Sequence, residues 1–316
     1  MSFYKDKKVL VAGGTGLIGK PLVDMLIEEG SKVRVASLDD KSRAHIESEF
    51  HRVDLTNYDN CTAICKGIDY VFNLLCMKGS PKVMKEKPAT YFEGNLIPNI
   101  NLLRAAKQEE VERYLYTSTV GVYDGEAEIS HEDDVWKTFP SKRDWSAGWA
   151  KRMCELQAQA YDIEYGWEGV SIVRPANTYG PYDKFDSEAA TAVPALIKRA
   201  VDGKNPFIAW GDGSPVRDFI YSKDVAKGMM FVLEKNPGPN SPINLGSGTR
   251  RTIKELVDII ISNVEKKPEI IWDTSKPEGD KIRVLNVKRA ASLGFRSEIS
   301  LEEGIKETID WYIGNK

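Results

Sequence analysis

The chain has 316 residues and a formal net charge of −3, with 41% hydrophobic and 29% charged residues. These values predict a globular protein of one large or two intertwined domains. The slightly negative net charge gives no positive electrostatic field that would attract nucleic acid. No apolar run approaches the ~18 residues of a membrane span. The first residues lack a signal-peptide pattern, which predicts a cytoplasmic protein. The four cysteines have no metal-ligand spacing with histidine, so we expect no metal site.

The first half of the sequence alternates short apolar strands with helices. Strands are predicted at residues 9–12, 33–36, 70–75, 113–118 and 170–173. Helices are predicted at residues 17–29, around Cys61, at 90–109 and at 148–165. This alternation predicts an α/β fold built on a Rossmann-type doubly wound parallel sheet.

The second half differs in composition, with clustered glycine, proline and aromatic residues. Shorter helices are predicted near residues 190–201, 223–233, 253–264 and 301–312. We therefore divide the chain into a dinucleotide-binding domain at 1–174, joined by segments near 217–247, and a substrate domain at 175–316. The second domain is predicted to be smaller, α/β and mostly C-terminal.

A glycine-rich motif joins the first strand to the first helix. It comprises Gly13, Gly14, Thr15, Gly16, Leu17, Ile18 and Gly19. Gly13 permits the tight turn, Gly16 the close approach of a pyrophosphate, and Gly19 the packing of helix on strand. The free N–H groups at the start of the helix then face the phosphates. Because a strand and a helix flank the motif as required, a dinucleotide site is favoured over a purely structural turn.

The end of the second strand should select the dinucleotide. An acid there binds the 2′-hydroxyl of NAD, whereas a basic residue accepts the 2′-phosphate of NADP. Ser37 and Asp39 lie about 20 residues after the glycine motif, and Arg43 follows them. The cofactor is therefore NAD or NADP, with Asp39 favouring NAD.

Several further segments resemble the extended short-chain dehydrogenase/reductases of the NAD-dependent epimerase/dehydratase family. They include a Thr at 119, four residues before Tyr123, a helical Lys at 151, and an R-P-x-N-x-Y-G-P turn at 174–181. The stretches at 179–186, 193–199, 273–279 and 299–304 are most similar to GDP-L-fucose synthases. The resemblance covers nearly the whole chain and implies a nucleotide-diphospho-sugar substrate, with GDP as the nucleotide of the most similar family.

The resemblance also assigns roles to single residues. It implies that Thr119 bonds the reacting oxygen and that Lys151 binds the nicotinamide ribose and provides positive potential. The remaining cofactor contacts that it implies are Asp54, Leu55, Leu74 and Pro175. The substrate contacts that it implies are Asn177, Val193, Arg199, Arg217 and Arg283, with the last two as a phosphate clamp.

The chain departs from the family at its catalytic positions. Gly121 and Thr191 stand where GDP-L-fucose synthases carry the Cys and His of 3,5-epimerisation, and neither is a competent acid or base. The Asp-Glu pair of 4,6-dehydratases is replaced by Val120 and Gly121. We therefore expect hydride transfer at sugar C4, by a 4-dehydrogenase or 4-ketoreductase, with a 4-epimerase as the alternative.

Ala147 stands where the family has a tyrosine, four residues before Lys151. Three explanations are open: an introduced Tyr-to-Ala change, a natural enzyme with another proton relay, or a binding protein that has lost the chemistry. Candidate relays are Tyr123, Tyr179, Ser146 and a water held by Lys151.

Relatives commonly pair as homodimers through the helices corresponding to 90–109 and 148–165, so a homodimer is expected. No nucleic-acid or membrane partner is expected. An RNA-binding role would involve the lysines at 78, 82, 85 and 87, for which a solvated loop is the simpler interpretation.

Overall fold

The computed structural model describes residues 2–79, 81–185, 190–276 and 279–316. Asp186, Pro277 and Glu278 of the matched stretches, and the side chain of Lys82, lie outside the described residues. In the first half the strands are β1 (Lys8–Ala12), β2 (Lys32–Ser37), β3 (Glu49–Arg52), β4 (Tyr70–Asn73), β5 (Arg113–Thr117) and β6 (Val170–Pro175). The helices are α1 (Gly19–Glu28), α2 (Tyr58–Cys65), α3 (Pro81–Glu86), α4 (Pro88–Gln108) and α5 (Trp145–Tyr165).

The second half contributes shorter elements. Its strands are β7 (Asn177–Tyr179), β8 (Phe207–Trp210), β9 (Val216–Arg217), β10 (Phe219–Tyr221), β11 (Ile243–Leu245), β12 (Arg251–Thr252), β13 (Ile270–Asp273) and β14 (Ile282–Arg283). Its helices are α6 (Ala192–Val201), α7 (Ser222–Lys235), α8 (Ile253–Ser262), α9 (Lys288–Leu293) and α10 (Leu301–Gly314).

A seven-stranded sheet forms the centre of the first half, in the order β3-β2-β1-β4-β5-β6-β11. Every neighbouring pair in this sheet is parallel. The order reverses between β1 and β4, which opens a crevice at the carboxyl ends of the strands, where open α/β sheets bind ligands. The predicted Rossmann-type doubly wound sheet is confirmed.

Apolar side chains cover both faces of this sheet. On one face, Leu22 and Leu26 of α1 and Met229 of α7 pack against Val9 and Val11 of β1. On the other face, the core includes Cys61 of α2, Leu102 of α4 and Cys154 of α5. Strands buried on both faces are nearly continuously apolar, which explains why the sequence pattern found them. In contrast, β3 has an exposed or half-buried pattern and was not predicted.

The C-terminal part has a core of its own. Apolar side chains of α6, α8 and α10 pack against β8 in this core. Helices α8 and α10 both begin with a capping box, formed by Thr252 with Glu255 and by Ser300 with Glu303. Strand β9 lies between β12 and β14 in a small sheet beside the crevice. Among the described residues, no helix combines the length and hydropathy that a membrane crossing requires.

Candidate active site

The glycine motif forms the turn between β1 and α1, at the carboxyl end of β1. Gly13 has φ +88°, a backbone conformation that favours glycine, and its N–H donates to the Ala36 carbonyl at 2.8 Å. A Cβ at Gly19 would collide with the Gly13 carbonyl oxygen. A Cβ at Gly16 would meet no atom closer than 3.5 Å, so the turn is open on that side. This cradle and the N-terminus of α1 fit a dinucleotide pyrophosphate.

The side chains at the end of β2 bond directly to the glycine motif. The Thr15 hydroxyl donates to Asp39 Oδ2 at 2.7 Å and lies 2.7 Å from Ser37 Oγ. Arg43 reaches the same Asp39 carboxylate at 3.8 Å. Asp39, which favours NAD, and Arg43, which favours NADP, therefore lie together beside the position expected for the adenosine ribose.

The other predicted cofactor contacts differ in whether their side chains or only their backbone atoms are accessible to a cofactor. The Asp54 side chain is exposed and accepts hydrogen bonds from Thr56 N and Oγ1, at 2.9 and 2.8 Å. The Leu55 side chain is buried in the core, so only its backbone is available to an adenine. The Leu74 Cβ borders the glycine turn, 3.4 Å from where a Cβ on Gly13 would lie. Pro175 is buried at the end of β6.

Lys151 lies at the centre of the crevice. Its side chain is 1% exposed, and Nζ donates to the carbonyl oxygens of Leu75 and Thr117, at 2.8 Å each. These carbonyls lie at the ends of β4, which pairs with β1, and of β5, the next strand in the sheet. Burial lowers the pKa of Lys151 from its ordinary value. Ala147, one helical turn earlier, is half-buried.

Thr119 caps the short 3-10 turn Val120–Val122 that follows β5. Its Oγ1 accepts from Gly121 N at 3.2 Å. The hydroxyl proton is not used by this bond, because the oxygen is the acceptor. Thr119 is half-buried and therefore remains able to donate to a ligand.

The Tyr123 hydroxyl is engaged inside the protein. Its phenol donates to Asn244 Oδ1 at 2.6 Å and accepts from Arg174 Nη1 at 2.9 Å. The side chain is 3% exposed, and burial raises its pKa well above the ordinary value. Both bonding directions of the hydroxyl are thus used inside the protein. The phenol therefore belongs to a buried structural network, which argues against the predicted role of Tyr123 as proton relay.

Two other candidate relays are also buried away from solvent. Tyr179 packs in the C-terminal core, with its hydroxyl 3.5 Å from the carbonyl oxygens of Ser300 and Leu301. Burial raises the pKa of Tyr179. Ser146 is 8% exposed on α5. The sequence could not predict that these side chains are buried, because the segments that cover Tyr179 lie about 120 residues further along the chain.

The predicted substrate contacts all lie in the C-terminal part of the chain. The Asn177 amide donates to the Asp218 carbonyl at 2.9 Å. The Val193 side chain is buried in the C-terminal core, so only its backbone can meet a ligand. Arg199 is half-buried, donates to the Ile208 carbonyl, and has its pKa lowered by burial.

Arg217 and Arg283 are neighbours, as the predicted phosphate clamp requires. They pair in register on β9 and β14. However, Arg283 forms ion pairs with Asp144, at 2.7 Å, and with Asp280. Although burial lowers the pKa of Arg283, these two carboxylates raise it overall.

Arg217 has a different environment from Arg283. Its guanidinium donates to the Val216 carbonyl at 2.8 Å, and in the described part of the chain it has no carboxylate within ion-pair distance. Burial and the adjacent Arg283 lower the pKa of Arg217 to about 10. Of the two arginines, Arg217 is therefore the one whose charge is available to an anion.

The fold and the glycine turn at its crevice define a dinucleotide-binding α/β protein. The chain belongs to the NAD dependent epimerase/dehydratase family, which it matches over residues 9–246. It is therefore an NAD(P)-dependent enzyme of that family, as the sequence predicted.

Comparison with individual proteins agrees with this assignment. The chain is 30% identical to GDP-L-fucose synthase 1 of Arabidopsis thaliana, over 98% of this chain and 94% of the relative. It is 31% identical to a GDP-L-fucose synthase of Sinorhizobium fredii, over 100% of this chain and 98% of the relative. The structure of a UDP-glucose 4-epimerase from Thermotoga maritima, solved with UDP-glucose, superposes with a TM-score of 0.85 at 27% identity, covering 98% of this chain and 99% of that one.

Proposed function

We propose that the protein is an NAD(P)-dependent oxidoreductase of nucleotide sugars that moves hydride at sugar C4, as a 4-dehydrogenase or 4-ketoreductase. The observation that carries the proposal is the position of Lys151, whose Nζ donates to carbonyl oxygens at the end of β4, the neighbour of β1, and at the end of β5. Thr119 lies just after β5, at the same edge of the sheet. The Lys151 cation and the Thr119 hydroxyl therefore both lie at this crevice.

Each part of the crevice has a separate task in this proposal. The glycine turn and the start of α1 hold the dinucleotide, which supplies or accepts hydride when bound. Lys151 would bond the hydroxyls of the nicotinamide ribose, and its buried charge raises the positive potential where an oxyanion develops. Thr119 would donate to the sugar oxygen that changes between alcohol and ketone.

We further propose NAD as the preferred dinucleotide. The Asp39 carboxylate, fixed by Thr15, is suited to accept from a ribose 2′-hydroxyl and repels a 2′-phosphate. Arg43 weakens this repulsion, but it stands 3.8 Å from Asp39 and is itself engaged with that carboxylate. A like-charge contact costs several kcal/mol at an interface, which supports NAD over NADP.

The substrate is proposed to be a GDP-linked sugar. Arg217 offers a half-buried guanidinium without a carboxylate partner among the described residues, which suits a diphosphate. Arg199 lies on the same substrate side and is the second basic residue proposed for the diphosphate. The guanine base is supported by the relatives, which are named GDP-L-fucose synthases.

A 4-epimerase is the second candidate, favoured by the similarity to the UDP-glucose 4-epimerase structure. A binding protein that retains the pocket without the chemistry is the third, favoured by Ala147. The three functions differ in the fate of the cofactor. Only the first changes the net redox state of the nicotinamide.

A substrate panel tests these functions together. The purified protein is incubated with NAD⁺ or NADP⁺ and, in turn, GDP-mannose, GDP-L-fucose, UDP-glucose and UDP-galactose. Reduced cofactor is incubated in parallel with the corresponding 4-keto sugars. Nicotinamide absorbance and product mass are followed. We expect a net redox change with a GDP-linked sugar, and NAD⁺ to bind at least about tenfold more tightly than NADP⁺.

The other outcomes of the panel are equally informative. Inversion at C4 without net cofactor change would establish the epimerase instead. Tight sugar binding with neither change would overturn the enzymatic function and leave the binding protein. Faster reaction of UDP-linked sugars would overturn the choice of base.

We also propose a homodimer formed through α4 and α5. These two helices pack along each other. They expose apolar side chains that a soluble monomer would not need, including Ile97, Trp145, Leu156 and Ile163, at 41%, 54%, 47% and 84% exposure. A four-helix contact between two copies would cover this surface.

Sedimentation equilibrium tests the dimer. The unaltered protein is expected at twice the chain mass of 35.4 kDa, and Leu156→Asp is expected to shift it toward the monomer, because a charge is costly inside an apolar contact. Ile46→Asp is the matched control, since Ile46 is 95% exposed away from both helices. A monomeric unaltered protein would contradict the proposal.

A further inference from the structure

Asp144 occupies a space beside the reaction centre that exists only because residue 121 is glycine. A Cβ built on Gly121 would lie 3.0 Å from Asp144 Cβ and 3.2 Å from its Oδ2. Contacts of this length are tighter than ordinary van der Waals packing, so a larger residue at 121 would push the carboxylate away. Gly121 replaces the cysteine that the resemblance predicts at this position, and its small size leaves room for the carboxylate of Asp144.

The helix also directs Asp144 toward the crevice. Asp144 is the N-cap residue of α5, whose first residue is Trp145. Positions 144, 147 and 151 are three and seven residues apart, which places them on one face of a helix. Asp144 therefore shares a face with Ala147, where the tyrosine is missing, and with the buried Lys151.

Thr119 connects this carboxylate to the reacting oxygen. Thr119 Oγ1 accepts from the N–H of Gly121, the residue whose missing side chain leaves room for Asp144. The carboxylate and the threonine hydroxyl thus flank the same 3-10 turn.

Fixed charges keep Asp144 in place. Arg283 Nη2 pairs with its Oδ2 at 2.7 Å, and the side chain is 19% exposed. Arg283 is in turn held by Asp280, which also pairs with Arg143 at 3.2 Å. The N-terminus of α5 adds a favourable dipole for a carboxylate. The carboxylate is therefore oriented: its Oδ2 is buried against Arg283, and the 19% exposure of the side chain belongs to its other atoms.

We propose that Asp144 is the catalytic acid/base that replaces the missing tyrosine; this inference rests on the proposed hydride transfer at C4. In the oxidative direction the hydride, with its electron pair, passes from C4 to the nicotinamide of bound NAD(P)⁺. The O–H bond at C4 breaks, its electrons form the C4=O double bond, and the proton goes to the Asp144 carboxylate. In the reductive direction Asp144 returns that proton to the C4 oxygen. Arg283 is a positioning residue for the carboxylate.

The test compares Asp144→Asn with Asp280→Asn in the full-length protein. Both changes remove a carboxylate from Arg283, but only the first removes the group that touches Gly121. The sugar is the one that gives the strongest redox change with the unaltered protein in the panel of four nucleotide sugars. We expect Asp144→Asn to slow hydride transfer by about 10²–10⁴-fold, and Asp280→Asn to slow it by less than about tenfold.

Two further measurements separate chemistry from folding and binding. The Kd of GDP, measured by calorimetry on protein without dinucleotide, is expected to change by less than about threefold in Asp144→Asn, as expected for a group that acts on the proton and not on the diphosphate. Gly121→Ala keeps the carboxylate but displaces it, and is expected to reproduce most of the rate loss. Adding Ala147→Tyr to Asp144→Asn is expected to recover at least about tenfold, because the phenol restores a relay beside Lys151.

The outcomes distinguish this inference from the proposed function. If the unaltered protein transfers hydride and Asp144→Asn is no slower than Asp280→Asn, the role of Asp144 is overturned while the function stands. A GDP affinity that falls as much as the rate would make Asp144 a binding residue and would also overturn it. If no nucleotide sugar changes the nicotinamide in the unaltered protein, the proposed function fails, and the role of Asp144 with it.

Discussion

Glu155→Gln is expected to lower the free energy of unfolding by about 3–5 kcal/mol. Glu155 of α5 is 0% exposed and accepts two hydrogen bonds from Arg174, at 3.0 and 2.6 Å. Arg174 is 1% exposed and also donates to Tyr123 and to the Glu132 carbonyl. Removing the carboxylate would leave a buried guanidinium charge without its counter-ion, which is costly because water cannot reach it.

Urea denaturation followed by circular dichroism measures this loss. Glu298→Gln is the matched control: its ion pair with Lys227 is 66% and 52% exposed, and exposed pairs contribute about 0–1 kcal/mol. The double change Glu155→Met with Arg174→Met is expected to be less destabilising than Glu155→Gln, since no charge stays buried. Equal effects of Glu155→Gln and Glu298→Gln would show that the buried pair does not stabilise the fold.

Lys151→Met is expected to reduce hydride transfer by at least about two orders of magnitude, an effect typical of losing a positioned group that stabilises developing charge. Its effect on stability should be smaller. The carbonyls of Leu75 and Thr117 would lose their donor, at a cost of about 1–3 kcal/mol each. The change would at the same time remove a buried ammonium, whose desolvation opposes folding.

The pH dependence of stability separates these two contributions. Burial lowers the pKa of Lys151 in the folded protein below the value of 10.5 for the exposed side chain. Between the two pKa values the unfolded chain binds more protons, so stability contributed at this site rises with pH toward 10.5 and is lost as the pH falls. Lys151→Met should lack this rise, and the exposed Lys227→Met should keep it. Parallel pH profiles for all three proteins would contradict a buried charged lysine.

The sheet and the glycine turn could be predicted because their signals are local. Buried parallel strands are apolar at nearly every position, and the roles of Gly13 and Gly19 follow from their places between one strand and one helix. The catalytic groups could not be predicted in the same way. Tyr123 looked available in sequence, yet its hydroxyl is fixed by Asn244, 121 residues further along the chain.

The role proposed for Asp144 depends on tertiary contacts that cannot be predicted from the spacing of residues in the sequence. It needs the start of α5 to approach the turn after β5, and it needs Arg283 from the C-terminal part. Gly121 was the available signal, because a glycine at a position that carries a reactive side chain in relatives leaves room for another group.

Strand β11 limits how far the protein can be divided. After the excursion through β7 to β10, the chain returns to place Ile243–Leu245 on the edge of the central sheet beside β6. Asn244 of this strand also holds the Tyr123 hydroxyl. A fragment ending at residue 174 would expose the backbone of β6 as an unpaired, apolar edge, a template for aggregation. The two halves are thus interlaced along the sequence, so insertions and deletions in the substrate region can evolve only where they preserve this return.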